Sequence, residues 1–158
     1  MIKLIPMQPE DFTAYLEPAI AEYAQEHVKN GNWLPEEALE KSRQQITGLL
    51  PDGLNSKGEH LYTIFDDNAQ RKLGMLWVEV ADAPRRRAFI YDFIIKEEFR
   101  GQGFGKQALA ALDETLISMG VESVGLHVFA HNINALELYK KAGFEITNLH
   151  MRKTYDQK

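Results

Sequence analysis

The sequence contains no cysteine, and this absence removes a whole group of chemistries. Disulfide bonds, thiolate nucleophiles and thiolate-bound metal centres all require a cysteine sulfur. None of these is therefore available to this chain. The apolar stretch from Met1 to Pro6 is too short for a secretory signal and lacks a small-residue cleavage site, so we expect a cytoplasmic protein.

A long apolar run and an excess of positive charge are also missing. No stretch approaches the ~20 apolar residues that a membrane-spanning helix needs. The net charge is −5, which argues against general nucleic-acid binding and mildly favours a cationic substrate. The 158 residues are 44% apolar and 26% charged, the balance of a globular protein, and we expect a single domain over residues 1–158.

The most informative pattern is an apolar run followed by a cluster of glycines and then by a helix. Residues 88–95 predict a strand, and Arg100-Gly101-Gln102-Gly103-Phe104-Gly105 follows as a tight turn. Leu109, Leu112 and Leu116 then recur at helical spacing. Helix N-termini expose N–H groups that attract anions, and glycine lets the backbone approach closely. The segment therefore predicts a phosphate or pyrophosphate site.

Two common phosphate-binding motifs do not fit this loop. A P-loop would need glycine at Arg100 and serine or threonine at Gln107, and a dinucleotide fingerprint would need glycine at Lys106. The pattern that fits is Arg-x-x-Gly-x-Gly, which resembles the acetyl-CoA loop of the GCN5-related N-acetyltransferase (GNAT) superfamily. A second block, from Asn132 to Phe144, resembles the superfamily's Asn-x-x-Ala-x-x-Leu-Tyr-x-x-x-Gly-Phe pattern at the usual separation.

The predicted elements follow the order β-α-α-β-β-β-α-β-α-β-β, which matches that superfamily. Spacing alone indicates only α/β or α+β. The resemblance implies an α/β (α+β) fold with a mixed, mostly antiparallel sheet and helices on both faces, in which the fourth and fifth strands splay apart around the pantetheine arm. The predicted helices begin at Pro9, Pro35, Phe104 and Asn132, a solvated turn is predicted at 85–87, and the predicted strands cover 2–7, 60–65, 73–80, 88–95, 124–129, 144–147 and 149–155.

The resemblance implies that acetyl-CoA is the co-substrate and that the glycine loop holds its pyrophosphate. Charge-assisted contacts from Arg100 and Lys106 would add to the loop's N–H groups, although an exposed lysine is equally ordinary at this place. Backbone groups near Ile94 and Ile95 would pair with the pantetheine and polarise the thioester. Asn132 is predicted to cap its helix or to touch the arm. The predicted cofactor-binding residues are Ile94, Ile95, Arg100, Gly101, Gln102, Gly103, Phe104, Gly105, Lys106 and Asn132.

Tyr139 stands where the superfamily has a tyrosine whose hydroxyl lies beside the sulfur. A phenol of pKa ~10 can hand a proton to a leaving thiolate. An aromatic residue on an apolar helical stripe is also ordinary core packing. The position inside a matching block favours the catalytic role, with Tyr139 as general acid.

In this superfamily a base removes a proton from the acceptor amine. The sequence leaves open which residue of this chain is that base. Some relatives use a glutamate where this chain has His127, whose imidazole has an ordinary pKa of ~6.5, and others use a glutamate near Phe89. The nearby acids are Glu79 and Asp92, each flanked by apolar residues. A carboxylate buried in this way needs either a partner or a function. His127 is the first candidate, and Glu79, Asp92 and a water chain are the alternatives.

The predicted function is transfer of an acetyl group from acetyl-CoA to a primary amine of a small molecule or peptide. The alternatives are a non-catalytic acyl-CoA-binding or interaction module on the same fold and nucleotide binding by the loop. His127 and His131 lack a third ligand, so no metal is expected. In the resembled fold the first two helices and their link form the acceptor end, where Trp33 either lines the slot or pins the helices. No nucleic-acid or membrane partner is expected, and a homodimer is left open.

Overall fold

The computed structural model describes residues 1–82 and 86–157, and within them five strands form one sheet. The strands lie side by side in chain order. The first four are antiparallel to their neighbours, and the fifth joins the fourth in parallel. Of the predicted turn at 85–87, Arg85 lies outside the described residues. The strands are β1 (Ile2–Pro6), β2 (Glu59–Asp66), β3 (Arg71–Val80), β4 (Arg87–Ile95) and β5 (Ser123–Leu126).

Four α-helices occur in the described part of the chain: α1 (Pro9–Lys29), α2 (Pro35–Leu49), α3 (Phe104–Ser118) and α4 (Ile133–Lys141). α1 and α2 begin at proline because its fixed φ suits the first helical turn and its missing N–H is not needed there. Among the described residues, no helix is both long and apolar enough to cross a membrane.

The sheet separates two apolar cores. On one face, Ile20 of α1 and Ile46 of α2 are buried against Trp77 of β3. On the other face, Leu109 and Leu112 of α3 are buried against the same sheet. The predicted mixed, mostly antiparallel sheet with helices on both faces is confirmed. β4 contributes to both cores, so its side chains connect the two layers.

The two predicted closing strands require a correction. Residues 144–147 and 149–155 have no regular secondary structure, although all the elements before them occur in the predicted order. A strand needs a neighbour to pair with its backbone. β5 is only four residues long and ends at Leu126 rather than at the predicted residue 129, so it is a short template for a further strand. Exposed apolar side chains in this C-terminal segment include Ile146, Leu149, Met151 and Tyr155.

Candidate active site

β4 and β5 stay paired for only four positions before they separate. Their pairs run from Arg87 with Ser123 to Ile90 with Leu126. β4 then continues to Ile95, whereas the chain leaves the sheet after Leu126. Parallel strands that separate leave a length of backbone facing a gap rather than a neighbour. This gap is bounded by residues 91–95 on one side and by residues 127–131 on the other.

A β-bulge changes the direction of β4 at the gap. Trp77 pairs with Asp92 and Val78 pairs with Ile90, so Tyr91 is an extra residue on β4. The Asp92 carboxylate accepts a hydrogen bond from the Tyr15 hydroxyl of α1 at 2.7 Å. Its other oxygen accepts the N–H of Phe93, the next residue along β4, at 3.0 Å. Asp92 is thus held between the sheet and α1.

The environment of Asp92 brings its titration close to neutrality. Burial raises the pKa of the carboxyl to about 6, even though the two hydrogen bonds favour the ionised form. The charge of Glu22 is a smaller cause in the same direction. Burial, followed by the negative charge of Asp92, raises the pKa of the Tyr15 hydroxyl, which therefore keeps its proton. A carboxyl in this condition can take up and release a proton near pH 6.

Tyr139 of α4 lies on the other side of this stretch of β4. Its ring meets Phe93 edge-on, with centroids 6.3 Å apart, and meets Phe144 at 5.6 Å. Burial and then the charge of Asp92 raise the pKa of the Tyr139 hydroxyl to about 12. Phe93 directly follows Asp92, so the Tyr139 ring packs beside the same short stretch of β4 that carries Asp92. The hydroxyl is therefore a hydrogen-bond donor throughout the neutral range, and its ring also contributes to the core.

The glycine loop connects β4 to α3. Gly101 and Gly103 have φ of +74° and +83°, the left-handed region that glycine adopts without strain. A Cβ added to Gly101 would meet no atom within 4 Å, so the space beside its backbone is open. The Gln107 N–H donates to the Gly103 carbonyl at 3.2 Å. The N–H groups of residues 104–106 therefore precede the helical ladder, and this open backbone fits the pyrophosphate of acetyl-CoA.

Two further residues of this segment fix the loop against its neighbours. Arg100 donates from Nε to the carbonyl of Ile95 at 2.8 Å, which ties the loop to the end of β4. A Cβ on Gly105 would lie 3.2 Å from Leu138, so glycine here lets the first turn of α3 pack closely on α4. Arg100 therefore has a structural contact with the end of β4, and its contact with a phosphate stays a prediction.

The predicted cofactor-binding positions at the end of β4 and on the loop differ in what their groups face. The Ile94 carbonyl faces β3, because a Cβ on Gly74 would lie 1.8 Å from its oxygen. The Ile95 carbonyl already accepts the hydrogen bond from Arg100. Gln102 and Lys106 are exposed at the loop and on the first turn of α3. Lys106 is therefore free to reach toward solvent or toward a bound anion.

Glu79, one of the predicted base candidates, belongs to a separate carboxyl pair. It lies opposite Glu59 in the β2–β3 register and accepts the Tyr91 hydroxyl at 3.4 Å. Glu59 accepts the Trp77 indole N–H at 2.8 Å. Burial, opposed by the Trp77 hydrogen bond and reinforced by Glu79, raises the pKa of Glu59 to about 7. The two carboxyls sit at the far end of β3, where Glu79 pairs with Phe89 rather than with Asp92.

His127, the first predicted base candidate, is exposed just after β5. Its ring meets Phe129 edge-on at 4.9 Å. The His27 ring of α1 meets the same Phe129 edge-on at 5.1 Å, so the two histidines lie on one aromatic side chain. His127 therefore belongs to an aromatic cluster at the C-terminal end of α1, whereas Asp92 contacts Tyr15 nearer the start of that helix.

Asn132 occupies the position before α4, but its side chain does not form the predicted cap. Its Nδ2 donates instead to the Glu26 carboxylate of α1 at 3.3 Å. His131 is bonded to the same carboxylate oxygen. The predicted capping role of Asn132 is corrected by this competing long-range partner, which ties α1 to the start of α4.

Sequence reasoning missed three α1 residues that contact the site: Tyr15, Glu26 and His27. Each meets a partner that is distant along the chain, such as Asp92, which is 77 positions from Tyr15. The available signal concerned His27 alone, a polar residue at helical spacing from the apolar Leu16 and Ile20. Among the described residues, no group of three potential metal ligands comes together.

Comparison with known proteins agrees with this geometry. Residues 17–144 match the acetyltransferase (GNAT) family. The chain is 46% identical to the uncharacterised N-acetyltransferase YycN of Bacillus subtilis (strain 168), covering 96% of this chain and 97% of YycN. It is 40% identical to YdgE, another uncharacterised N-acetyltransferase of the same organism, over 93% and 94%.

Structural comparison and a more distant relative point the same way. The crystal structure of YycN superposes with a TM-score of 0.94 at 44% identity, covering 99% of this chain and 100% of YycN. The spermine/spermidine N(1)-acetyltransferase of Bacillus subtilis (strain 168) is 24% identical, over 91% of this chain and 88% of its own length. The family match and the similarity to YycN establish the family of this chain. The chain belongs to the GNAT family and is an acetyl-transferring enzyme.

Proposed function

We propose that the protein transfers the acetyl group of acetyl-CoA to a primary amine of a small molecule or peptide in the cytoplasm. The observation that carries this proposal is that Asp92, bonded to Tyr15, and Tyr139, packed on Phe93, flank the part of β4 from which β5 has separated. The glycine loop begins shortly after the same strand. A carboxyl that titrates near neutrality, a protonated phenol and an anion-binding loop are the parts that acetyl transfer to an amine requires.

The residues of the loop would hold acetyl-CoA, which supplies an acetyl group already activated as a thioester. The N–H groups of residues 102–106 would bind its pyrophosphate, and Lys106 is exposed beside them. The Ile95 carbonyl already accepts the bond from Arg100, so the other backbone groups of residues 91–95 that β5 leaves unpaired would orient the arm. Arg100 supports this arrangement from outside by its bond to the Ile95 carbonyl.

Asp92 is our choice for the group that takes the proton from the amine. Its carboxylate is half-buried at the gap, and its pKa of about 6 leaves it ionised but basic at pH 7. Taking up a proton removes a buried negative charge, which offsets part of the cost of burial. The bond from Tyr15 holds the carboxylate in place during this transfer. His127 remains the alternative base, on the opposite border of the gap.

Tyr139 would act on the departing sulfur. A thiol has an ordinary pKa of ~8.5, so a phenol whose pKa is about 12 is the weaker acid. Its contribution is therefore mainly a hydrogen bond that stabilises the thiolate, with the final proton supplied from Asp92 or from water. Tyr139 is still proposed to act at the sulfur, as the sequence predicts, but mainly by donating a hydrogen bond rather than by transferring a proton.

An amine acceptor is also supported by the charges around the gap. Two glutamates of α1 contribute negative charge here: the charge of Glu22 acts on Asp92, and the Glu26 carboxylate bonds to His131 at the other border of the gap. A cationic amine would be attracted to such a surface. A relative that acts on spermine and spermidine supports the same substrate class.

The test is a panel of primary amines assayed with acetyl-CoA by release of the free CoA thiol. Turnover that depends on the amine and is lost in Asp92→Asn supports the proposal. Tight acetyl-CoA binding by calorimetry, with no thiol release on small amines or peptides, would favour a non-catalytic acyl-CoA-binding module. Competition of ATP or NAD with CoA would instead favour nucleotide binding by the loop.

A further inference from the structure

The segment after α4 crosses back over the link between α1 and α2. Arg152 donates from Nη1 to the carbonyl of Asn30 at 2.8 Å and from Nη2 to Oδ1 of Asn32 at 2.9 Å. The partners lie 122 and 120 positions away along the chain, so this is a tertiary contact. Because the guanidinium is planar, its two donors fix the link at two points on either side of Gly31.

The backbone of the link has a shape that accommodates the guanidinium. Gly31 has a φ of +77°, and a Cβ added there would lie 2.7 Å from Nη1 of Arg152. The Gly31 N–H donates to the Val28 carbonyl and the Asn32 N–H to the His27 carbonyl, each at 2.9 Å. The link is therefore a tight turn that closes the end of α1. A side chain at position 31 would strain this turn and displace Arg152.

Asn32 connects this contact to an aromatic cluster. Its Nδ2 lies 2.9 Å from Nδ1 of His27. The Trp33 ring stacks on the same imidazole, with centroids 3.9 Å apart. His27 meets Phe129 edge-on at 5.1 Å, and Phe129 lies in the segment that borders the gap. A continuous set of contacts thus runs from Arg152 to the gap.

We propose that Arg152 is a positioning residue that fixes the α1–α2 link. It thereby holds the stacked rings of His27 and Trp33 in place as one side of the acceptor-amine site. This inference rests on the proposed function and names the part of the site that selects the acceptor. The link belongs to the layer of α1 and α2, whereas the glycine loop leads into α3 on the other face. Loss of Arg152 should therefore affect the amine and spare acetyl-CoA.

The test compares Arg152→Ala with the unaltered protein, using the amine that is turned over fastest. The KM for the amine should rise about 5- to 50-fold, the range expected when hydrogen bonds from a charged group are lost at a partly exposed site. The Kd of acetyl-CoA should stay within about twofold. Arg152→Lys should give an intermediate KM because a lysine cannot donate in the same fork. Lys153→Ala, which removes a neighbouring positive charge, should leave the KM unchanged.

Hydrogen exchange supplies a measurement that does not need turnover. In Arg152→Ala the amides of Gly31 and Asn32 should exchange about tenfold faster, while the amide of Gln107 in α3 should not change. Equal rises in the KM for amine and for acetyl-CoA, or unchanged exchange at Gly31 and Asn32, would overturn the inference. If no amine is turned over, the proposed function fails, and the exchange data still decide whether Arg152 fixes the link.

Discussion

The proposed cofactor end and the proposed acceptor end of this enzyme are built from different interactions. At the proposed cofactor end, the groups that would bind are backbone atoms set by two left-handed glycines and the start of α3. At the acceptor end, the groups are side chains brought together from α1, β4 and the segment after β5, such as Tyr15 with Asp92 and Glu26 with His131. A backbone site needs only a local sequence, whereas a side-chain site needs the whole fold.

The largest expected effect comes from one isosteric change at the acceptor end. Asp92→Asn removes the proposed proton acceptor and should lower kcat/KM about 10²- to 10⁴-fold, the usual worth of general acid–base catalysis. The acidic limb of the pH profile, with an apparent pKa near 6, should disappear as well. Steady-state rates from pH 5 to 9 are the measurement. His127→Ala is the matched control, and loss of the acidic limb in that variant would assign the base to His127.

Tyr139→Phe should have the next largest effect. It removes one hydroxyl and should lower kcat about 10²- to 10³-fold, as expected when a donor to a developing negative charge is lost. The Kd of acetyl-CoA should change little because the ring keeps its packing against Phe93 and Phe144. Single-turnover kinetics and calorimetry measure the two quantities. An unchanged kcat across pH 6 to 9 would leave Tyr139 with a packing role alone.

The cofactor end should be sensitive to its backbone and tolerant of its side chains. Gly103→Asp places a side chain and a negative charge beside the loop at a φ of +83°, and should weaken acetyl-CoA binding about 10- to 100-fold. Lys106→Ala should weaken it only about two- to fivefold because the ammonium is exposed. Calorimetric titration with acetyl-CoA tests both. Equal losses in the two variants would contradict a backbone-dominated site.

The remaining prediction concerns stability rather than activity or binding: the free energy of unfolding should depend on pH. The folded-state pKa values of Asp92 and Glu59, about 6 and about 7, lie above their ordinary values, so their contribution is fully present at low pH and is lost as the pH rises through those values. Asp92→Asn should therefore raise the free energy of unfolding at pH 8 by up to about 3 kcal/mol, the worth of a pKa raised from 3.8 to about 6. Urea unfolding at pH 5 and pH 8 measures this. A variant that is less stable at pH 8 would show that the two hydrogen bonds outweigh the burial.

The same contrast explains how much the sequence could predict. The glycine loop, the order of the elements up to residue 143 and the block around Tyr139 depend on neighbouring residues, and each was visible as a motif or a spacing. The partner of Asp92 is 77 positions away, and the carboxylate that engages Asn132 is 106 positions away, so neither leaves a local pattern. In the predicted closing strands, apolar and polar residues alternate as they do in a strand. This alternation cannot show whether a neighbouring strand is available to pair with them.

The close approach of Gly74 to β4 has a consequence for how this gene can change. A methyl group at this position would lie 1.8 Å from the Ile94 carbonyl oxygen and 3.0 Å from the Ile95 Cα. Every other amino acid has a Cβ atom at this place, so a missense change at codon 74 would displace the end of β4 that leads into the glycine loop. A saturation library selected for acetyl transfer should therefore reject substitutions at Gly74 as strictly as at the glycines of the loop itself.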